Sequence, residues 1–159
     1  MSDIKHMHWS EWLAQRVIEE KKEPYVITSG ITTSGPAHLG TLCEFLFPDS
    51  IRKQLESRGK KVTFYFLADI LDAFDSVPLS MERYRAQLEP HLGKPLCDVP
   101  DPTGKTESFG DHFLNEVKAL MDKFEVKAEI RRMNDLYSEG KFDGWARFYL
   151  KNEADAKRI

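Results

Sequence analysis

The spacing of hydrophobic residues along the chain predicts four amphipathic helices. In each of them, apolar residues recur every three or four positions, which gathers them on one face. The predicted helices are Trp9–Glu20, His38–Arg58, Ser108–Phe124 and Phe142–Ile159. Pro24 and Gly59 follow the first two and are typical of helix ends, whereas Pro48 lies inside the second helix and is expected to kink or divide it.

Two short apolar runs between these helices, Tyr25–Thr28 and Val62–Leu67, are rich in β-branched and aromatic residues and are predicted to be strands. Val126–Ile130 is predicted as a third strand. Strands that alternate with helices form βαβ units, so an α/β fold with a parallel sheet and right-handed crossovers is expected. Ligands bind at the carboxyl ends of such strands, and the loops after the first and second strands are therefore where chemistry is expected.

The helical pattern also predicts which side chains face solvent. In the second helix, Arg52 and Glu56 fall outside the apolar stripe and are expected to be exposed. In the last helix, Trp145 and Tyr149 are expected to face the core. Residues 69–105 have no such period and are rich in Pro, Asp and Gly, so a long irregular segment is predicted, and such segments are often functional.

Composition narrows the function classes without naming one. The 159 residues fit a single domain, and 41% hydrophobic with 31% charged residues is typical of a globular protein. A net charge of −3 argues against a dedicated nucleic-acid clamp. No apolar stretch could span a membrane, no signal peptide is recognisable, and two cysteines make neither a disulfide framework nor a metal cluster, so a cytoplasmic location is expected.

The loop after the first strand has the parts of an anion-binding site. Its glycines, Gly30, Gly35 and Gly40, lack the spacing of a dinucleotide fingerprint, so a nicotinamide or flavin cofactor is not expected. Hydroxyls and a helix N-terminus still favour an anion there. His38 is able to donate to a phosphate oxygen, and Gly40 leaves room for a flat base. The alternative, from spacing alone, is a turn followed by a helix that contains a histidine.

The segment Ser34–Gly40 (Ser-Gly-Pro-Ala-His-Leu-Gly) resembles the HIGH loop of class I aminoacyl-tRNA synthetases. His38, Leu39 and Gly40 match the first three letters of that motif. Thr41 stands where the second histidine would be, and its hydroxyl is still able to donate a hydrogen bond.

Further blocks, in order along the chain, resemble the class I lysyl-tRNA synthetases in particular. They are His8-Trp9, Gly30–Gly35, Ala68–Pro78, Leu92–Pro95, Val99–Gly104, Glu107–Phe109 and His112-Phe113. In the acidic block after the second strand, Asp69 and Asp72 match the family pattern, whereas Ile70 and Asp75 depart from it. The resemblance runs from about Met7 to the C-terminus.

The resemblance implies a Rossmann-like parallel sheet with flanking helices, of the class I synthetase and nucleotidylyl transferase type. Residues 1–159 would be the N-terminal part of the catalytic domain, with an irregular insert at about 69–105, an incomplete fold and no anticodon-binding domain. No lysine-rich KMSKS loop is found, so the chain by itself is expected to be inactive.

The activity that the resemblance implies is that of an ATP-dependent lysine–tRNA ligase. Lysine would be activated with ATP and Mg²⁺ to lysyl-adenylate and then transferred to tRNA(Lys), without a membrane partner. Two other interpretations stay open: a different nucleotidylyl transferase with a HIGH-type loop, and a non-catalytic ligand-binding paralogue.

The resemblance also implies roles for individual residues. The ATP-binding residues would be Ser34, Gly35, His38, Gly40 and Thr41, with His38 and Thr41 catalytic. The lysine-binding residues would be Gly30, Thr32, Asp69 and Asp72, supported by Glu107 and His112, and no protein-bound metal is expected. Carboxylates at a strand end suit the ammonium groups of lysine, although a loop aspartate also commonly forms turns.

Overall fold

The sheet has three strands that all run parallel. The computed structural model describes residues 7–157, with Ala156 described only for its backbone. The strands are β1 (Tyr25–Thr32), β2 (Val62–Asp69) and β3 (Glu129–Arg132), in the order β1-β2-β3. The α/β fold with a parallel sheet is therefore confirmed.

Strand boundaries differ from the predicted ones at several points. β1 and β2 continue to Thr32 and Asp69, because Ser29 and Gly30 pair with β2 instead of beginning the loop. β3 starts three residues later than predicted, at Glu129, since its pairing with β2 begins only opposite Tyr65.

Seven helices flank or follow the strands within residues 7–157. They are α1 (Trp9–Glu20), α2 (Leu39–Ser57), α3 (Arg85–Leu88), α4 (Phe109–Lys123), α5 (Met133–Ser138), α6 (Asp143–Lys151) and α7 (Glu153–Ala156). The predictions for α1, α2 and α4 are confirmed to within one residue, and α2 is not divided at Pro48. Each of these three helices begins with a side-chain cap, from His8, His38 and Ser108.

One core lies on a face of the sheet, where side chains of α2 and α4 pack against β2. Its buried members are Phe45, Phe64, Phe66, Val117 and Met121. Phe64 and Phe66 are two positions apart on β2, so their side chains lie on the same face of the sheet. On that face, Phe45 of α2 contacts Phe66 edge-on, with 6.3 Å between the ring centroids. This packing holds α2 and α4 against the sheet.

The segment between β2 and α4 is irregular but has a core of its own. It contains α3 and the short 3₁₀ turns Leu79–Tyr84, Glu89–His91 and Leu96–Asp98. Nine buried side chains form its cluster: Ile70, Phe74, Val77, Met81, Leu88, Leu96, Val99, Phe109 and Phe113. The last two belong to α4, so this apolar cluster attaches the segment to α4.

Arg52 contradicts the prediction that it faces solvent. Its side chain is only 3% exposed, and its Nε donates to Asp49 Oδ1 at 2.6 Å. Asp49 Oδ1 also accepts from the backbone N–H of Lys127 at 3.3 Å, which ties α2 to the segment before β3. Burial alone would lower the pKa of Arg52, but hydrogen bonds to Asp49 and Glu56 raise it above its ordinary value. The periodic pattern missed the burial of this pair because Lys127, which also bonds to Asp49, is distant in sequence.

The C-terminal helices contradict a second prediction. The predicted helix over Phe142–Ile159 is two helices that meet at Asn152, and its last two residues lie outside the described ones. Trp145 and Tyr149, expected to face the core, are 65% and 59% exposed. Within residues 7–157, no helix is long and apolar enough to cross a membrane.

Substituting Gly30 by alanine is expected to destabilise the fold. Gly30 pairs with Leu67, and a Cβ atom at Gly30 would lie 2.3 Å from the Leu67 carbonyl oxygen. Because backbone has to move, we expect G30A to lower the free energy of unfolding by about 2–3 kcal/mol in urea denaturation. Gly144→Ala is the control: its Cβ would meet no atom within 4 Å, and alanine favours the helix. Equal stability of G30A and the wild type would contradict this close approach.

Candidate functional site

The residues predicted to bind lysine meet at the carboxyl edge of the sheet. Thr32 and Asp69 are partners in the last β1–β2 pair, and Thr32 Oγ1 donates to Asp72 Oδ2 at 3.0 Å. An open cavity of about 300 Å³ lies beside them. It is lined by Gly30, Ile31, Thr32, Leu67, Asp69 and Met133. Gly30, Thr32, Asp69 and Asp72 are thus brought together.

The two carboxylates of this edge differ in what they bind. Asp72 is exposed, and both of its oxygens accept hydrogen bonds, from Ala73 N at 3.0 Å and from Thr32. Asp69 is half-buried and accepts only from Leu71 N, at 3.2 Å on Oδ1. No donor among residues 7–157 bonds to Asp69 Oδ2, so Asp69 has the more available oxygen.

His38 caps α2, and the cap determines where its proton sits. Its Nδ1 accepts from the backbone N–H groups of Gly40, at 3.1 Å, and Thr41, at 3.4 Å. A nitrogen that accepts these bonds cannot carry a proton, so the proton of the neutral ring sits on Nε2. The exposed ring therefore presents Nε2–H as a hydrogen-bond donor.

Gly40 and Thr41 support this histidine directly. A Cβ at Gly40 would lie 2.9 Å from His38 Cε1. The His38 ring therefore occupies the space beside Gly40 that was expected to be open for a base. Thr41 is 7% exposed, and its Oγ1 accepts from His38 N at 3.3 Å. Its hydroxyl thus belongs to the helix cap.

The rest of the loop after β1 contacts residues of other segments. Ser34 is exposed, and Gly35 is half-buried near Pro78. The backbone N–H of Ala37, just before His38, donates to Glu116 Oε1 of α4 at 3.3 Å. Sequence reasoning missed Glu116, since nothing distinguishes it from any exposed glutamate on a helix.

The two predicted supporting residues lie apart from the cavity. Glu107 is exposed and makes no hydrogen bond or ion pair within residues 7–157. His112 lies on α4, where its Nδ1 is 3.4 Å from both Asp101 Oδ2 and Thr103 Oγ1. His112 therefore contacts the loop that precedes α4.

Asp101 organises that loop and is a second residue that sequence reasoning missed. Its side chain is fully buried and accepts from the backbone N–H groups of Thr103, Lys105 and Thr106 at 2.9, 3.1 and 3.0 Å. Burial alone would raise the pKa of Asp101, but hydrogen bonds from Thr103 and Thr106 and the nearby His112 hold it well below its ordinary value. The Asp-Pro-Thr-Gly turn sequence was the available signal.

The first turn of α4 contacts the ends of all three strands. After β1, Thr33 Oγ1 donates to the Gly110 carbonyl oxygen at 2.9 Å. After β2, Ile70 packs so closely that a Cβ at Gly110 would be 3.0 Å from it. At the end of β3, an Arg132 guanidinium nitrogen lies 3.2 Å from Asp111 Oδ2. This turn thus holds the site loops in one arrangement.

Neither metal clusters nor reactive thiols stand out among the described residues. Within residues 7–157, no group of three or more His, Cys, Asp or Glu side chains could hold a metal ion. Cys43 and Cys97 are free thiols. Burial, followed by the charge of Asp98, raises the pKa of the Cys97 thiol, which disfavours its nucleophilic form.

Comparison with known proteins identifies one family. The family model described as "tRNA synthetases class I (K)" matches residues 7–159. The chain is 34% identical to the lysine–tRNA ligase of Thermococcus kodakarensis over 96% of its own length and 29% of that protein. It is 33% identical to the lysine–tRNA ligase of Methanocaldococcus jannaschii, over 96% of this chain and 28% of that protein. For the lysine–tRNA ligase of Archaeoglobus fulgidus the identity is 32%, over 96% and 30%. The chain thus spans less than a third of the length of these curated relatives.

Replacing Asp101 by asparagine is expected to destabilise the protein in a pH-dependent way. We expect D101N to lose about 2–3 kcal/mol of unfolding free energy at pH 7, because a buried acceptor becomes partly a donor. The folded-state pKa is lowered, so this contribution is complete above the unfolded value of about 3.9 and is lost as the pH falls below it. Urea denaturation at pH 7 and pH 3 should therefore show a gap between D101N and wild type that narrows in acid.

The matched control for D101N is Asp75→Asn. Asp75 lies in the same segment, is exposed and has no partner within residues 7–157. A gap that stays the same at both pH values, or an equal effect of D75N, would contradict the role given to Asp101.

Proposed function

Because the chain belongs to the class I (K) tRNA synthetase family, we propose that it supplies the ATP- and lysine-binding part of a lysine–tRNA ligase. A carboxylate oxygen of lysine attacks the α-phosphorus of ATP, the bond to pyrophosphate breaks, and lysyl-adenylate forms. A hydroxyl of the terminal ribose of tRNA(Lys) then takes the lysyl group, and AMP leaves. We propose that residues 1–159 are the N-terminal part of a catalytic Rossmann-like domain. This part includes the irregular insert at about 69–105.

The observation that carries the proposal is His38 as the cap of α2, the helix that follows β1, whose last residue Thr32 pairs with Asp69. In adenylate formation, charge builds on phosphate oxygens, and fixed donors stabilise it. We assign that task to His38 Nε2–H, whose direction as a donor follows from the Nδ1 bonds to Gly40 and Thr41. Thr41 and Gly40 then act by holding His38.

Ser34 and Gly35 complete the proposed ATP-binding loop. Ser34 presents an exposed hydroxyl, and Gly35 allows close approach of a phosphate to the backbone. Mg²⁺ is proposed as the counter-ion of the ATP phosphates, because in nucleotide sites it is usually bound through phosphate oxygens, one or two carboxylates and water.

The cavity at the strand ends is proposed as the lysine site. Asp69, with an uncommitted oxygen, is the partner of an ammonium group, since charge-assisted hydrogen bonds are the strong ones. Thr32 and Asp72 hold each other at 3.0 Å on the edge of the cavity. Gly30 contributes backbone surface to its wall.

The remaining roles follow from positions outside the cavity. His112 is proposed to support the site through Asp101 and the start of α4, and Glu107 as an exposed neighbour of that start. tRNA(Lys) is the proposed macromolecular partner and the cytoplasm the proposed location. A different nucleotidylyl transferase is not favoured, because the matched family model is a tRNA synthetase over residues 7–159.

Replacing His38 by asparagine separates helix capping from phosphate binding. Asparagine is a good N-cap but lacks Nε2–H, whereas alanine lacks both. We expect H38N and H38A each to weaken ATP binding by about tenfold or more, from the loss of one charge-assisted hydrogen bond. Only H38A should also lose about 1 kcal/mol of stability. Isothermal titration calorimetry and urea denaturation measure the two effects.

His8 offers the matched control for that substitution. It caps α1 through the same nitrogen, with Ser10 N at 3.4 Å, so H8N changes an equivalent cap elsewhere. ATP affinity should stay unchanged in H8N. If H38N binds ATP as tightly as wild type, His38 only caps the helix and the proposed ATP role is wrong.

Replacing Asp69 by asparagine tests the lysine site. We expect D69N to weaken lysine binding by at least about tenfold, because an ammonium group loses its charged partner, while ATP binding changes little. Titrations followed by NMR with lysine and with norleucine, which lacks the ε-ammonium, measure the selectivity. The control is D75N. Equal binding of lysine and norleucine by the wild type would contradict recognition of the ε-ammonium group at this site.

A further inference from the structure

The hydrogen-bonded ladder between β1 and β2 ends just before the site. Thr32 and Asp69 form its last pair. Beyond that pair, backbone bonds between the two strands no longer fix the loops that carry Ser34 and Asp72. Something else has to hold them at a constant separation, since a binding site gains affinity when its groups are fixed before the ligand arrives.

Thr33 takes over where the ladder ends. It is 1% exposed and stands between the site residues Thr32 and Ser34. Its Oγ1 donates to the carbonyl oxygen of Gly110 at 2.9 Å, in a buried hydrogen bond. Buried hydroxyls of this kind are costly to leave unpaired, so the bond fixes the first residue after β1 against α4.

Gly110 also contacts the loop that follows β2. Ile70, the residue after Asp69, is fully buried, and a Cβ at Gly110 would lie 3.0 Å from the Cβ and Cγ2 atoms of Ile70. The Ile70 carbonyl oxygen also accepts from Cys97 N at 2.8 Å, which prevents Ile70 from moving away. One glycine thus contacts the first residue beyond both strands.

We propose that Thr33 is a positioning residue of the lysine site, which acts through its hydrogen bond to Gly110. Because Thr33 directly follows Thr32, the bond holds the Thr32 hydroxyl that donates to Asp72, and so positions Asp72 relative to Asp69, the partner of Thr32 in the last strand pair. Thr33 itself is buried and is not among the residues that line the cavity. The inference rests on the lysine site proposed above.

The test replaces Thr33 by valine and by serine in the 159-residue chain. Valine keeps the shape and removes the donor, whereas serine keeps the donor. We expect T33V to weaken lysine binding about tenfold, the equivalent of one buried hydrogen bond, and T33S to stay within about twofold of wild type. Thr33→Ala, which adds no volume, replaces T33V if that variant does not fold.

A second readout does not depend on lysine. Amide hydrogen exchange in residues 33–37 and 70–73 should be about tenfold faster in T33V than in wild type, and unchanged in T33S. Thr28→Val is the matched control, since its exposed hydroxyl lies on β1 and bonds to nothing within residues 7–157. It should change neither readout.

The outcomes separate this inference from the proposed function. Wild-type lysine affinity in T33V overturns the positioning role and leaves the lysine site intact. Equal losses in T33V and T33S also overturn it, because packing rather than the hydrogen bond would then matter. If the wild-type chain binds no lysine, the proposed lysine site fails, and unchanged exchange in T33V would overturn the Thr33–Gly110 link as well.

Discussion

The docking of the first turn of α4 onto the strand ends is the constraint on which the candidate site depends. Gly110 accepts from Thr33 and leaves space for Ile70, and Asp111 pairs with Arg132. The turn itself is fixed by the loop that buried Asp101 organises, and by the Ser108 cap. Carboxyl ends of parallel strands have no further pairing partner, so a helix N-terminus placed across them is what makes their loops into one rigid edge.

The two interpretations of His38 that the sequence left open are compatible in the structure. The histidine is indeed part of a turn that begins a helix, since its Nδ1 caps α2. That same cap consumes Nδ1 and leaves the proton on Nε2, which is what a phosphate donor requires. Gly40 serves both interpretations, because a side chain there would displace the ring. A structural role for His38 therefore prepares the proposed chemical one.

The sequence predicted what depends on local periodicity and missed what depends on distant partners. Helices α1, α2 and α4 and the parallel sheet followed from apolar spacing, whereas Thr32 and Asp69 followed from the family resemblance, at strand ends where ligands bind in such sheets. Burial of Arg52 did not follow, because its partner Asp49 also accepts a hydrogen bond from the backbone N–H of Lys127, 78 positions away. The insert's core was equally hidden, since its apolar residues come from turns without a period. Neither Thr33 nor Asp101 carried a signal of its partners in Gly110 and Thr106.

The proposed lysine site and the proposed ATP site differ in charge. Asp69 and Asp72 make the strand edge acidic, while the loop that begins at Ser34 is proposed to hold phosphates. A substrate that carries ammonium groups would neutralise this edge, whereas the proposed phosphate loop offers hydrogen-bond donors instead of carboxylates. Both proposed sites lie next to loops that contact α4, through Gly110 after β1 and through Glu116 just before His38.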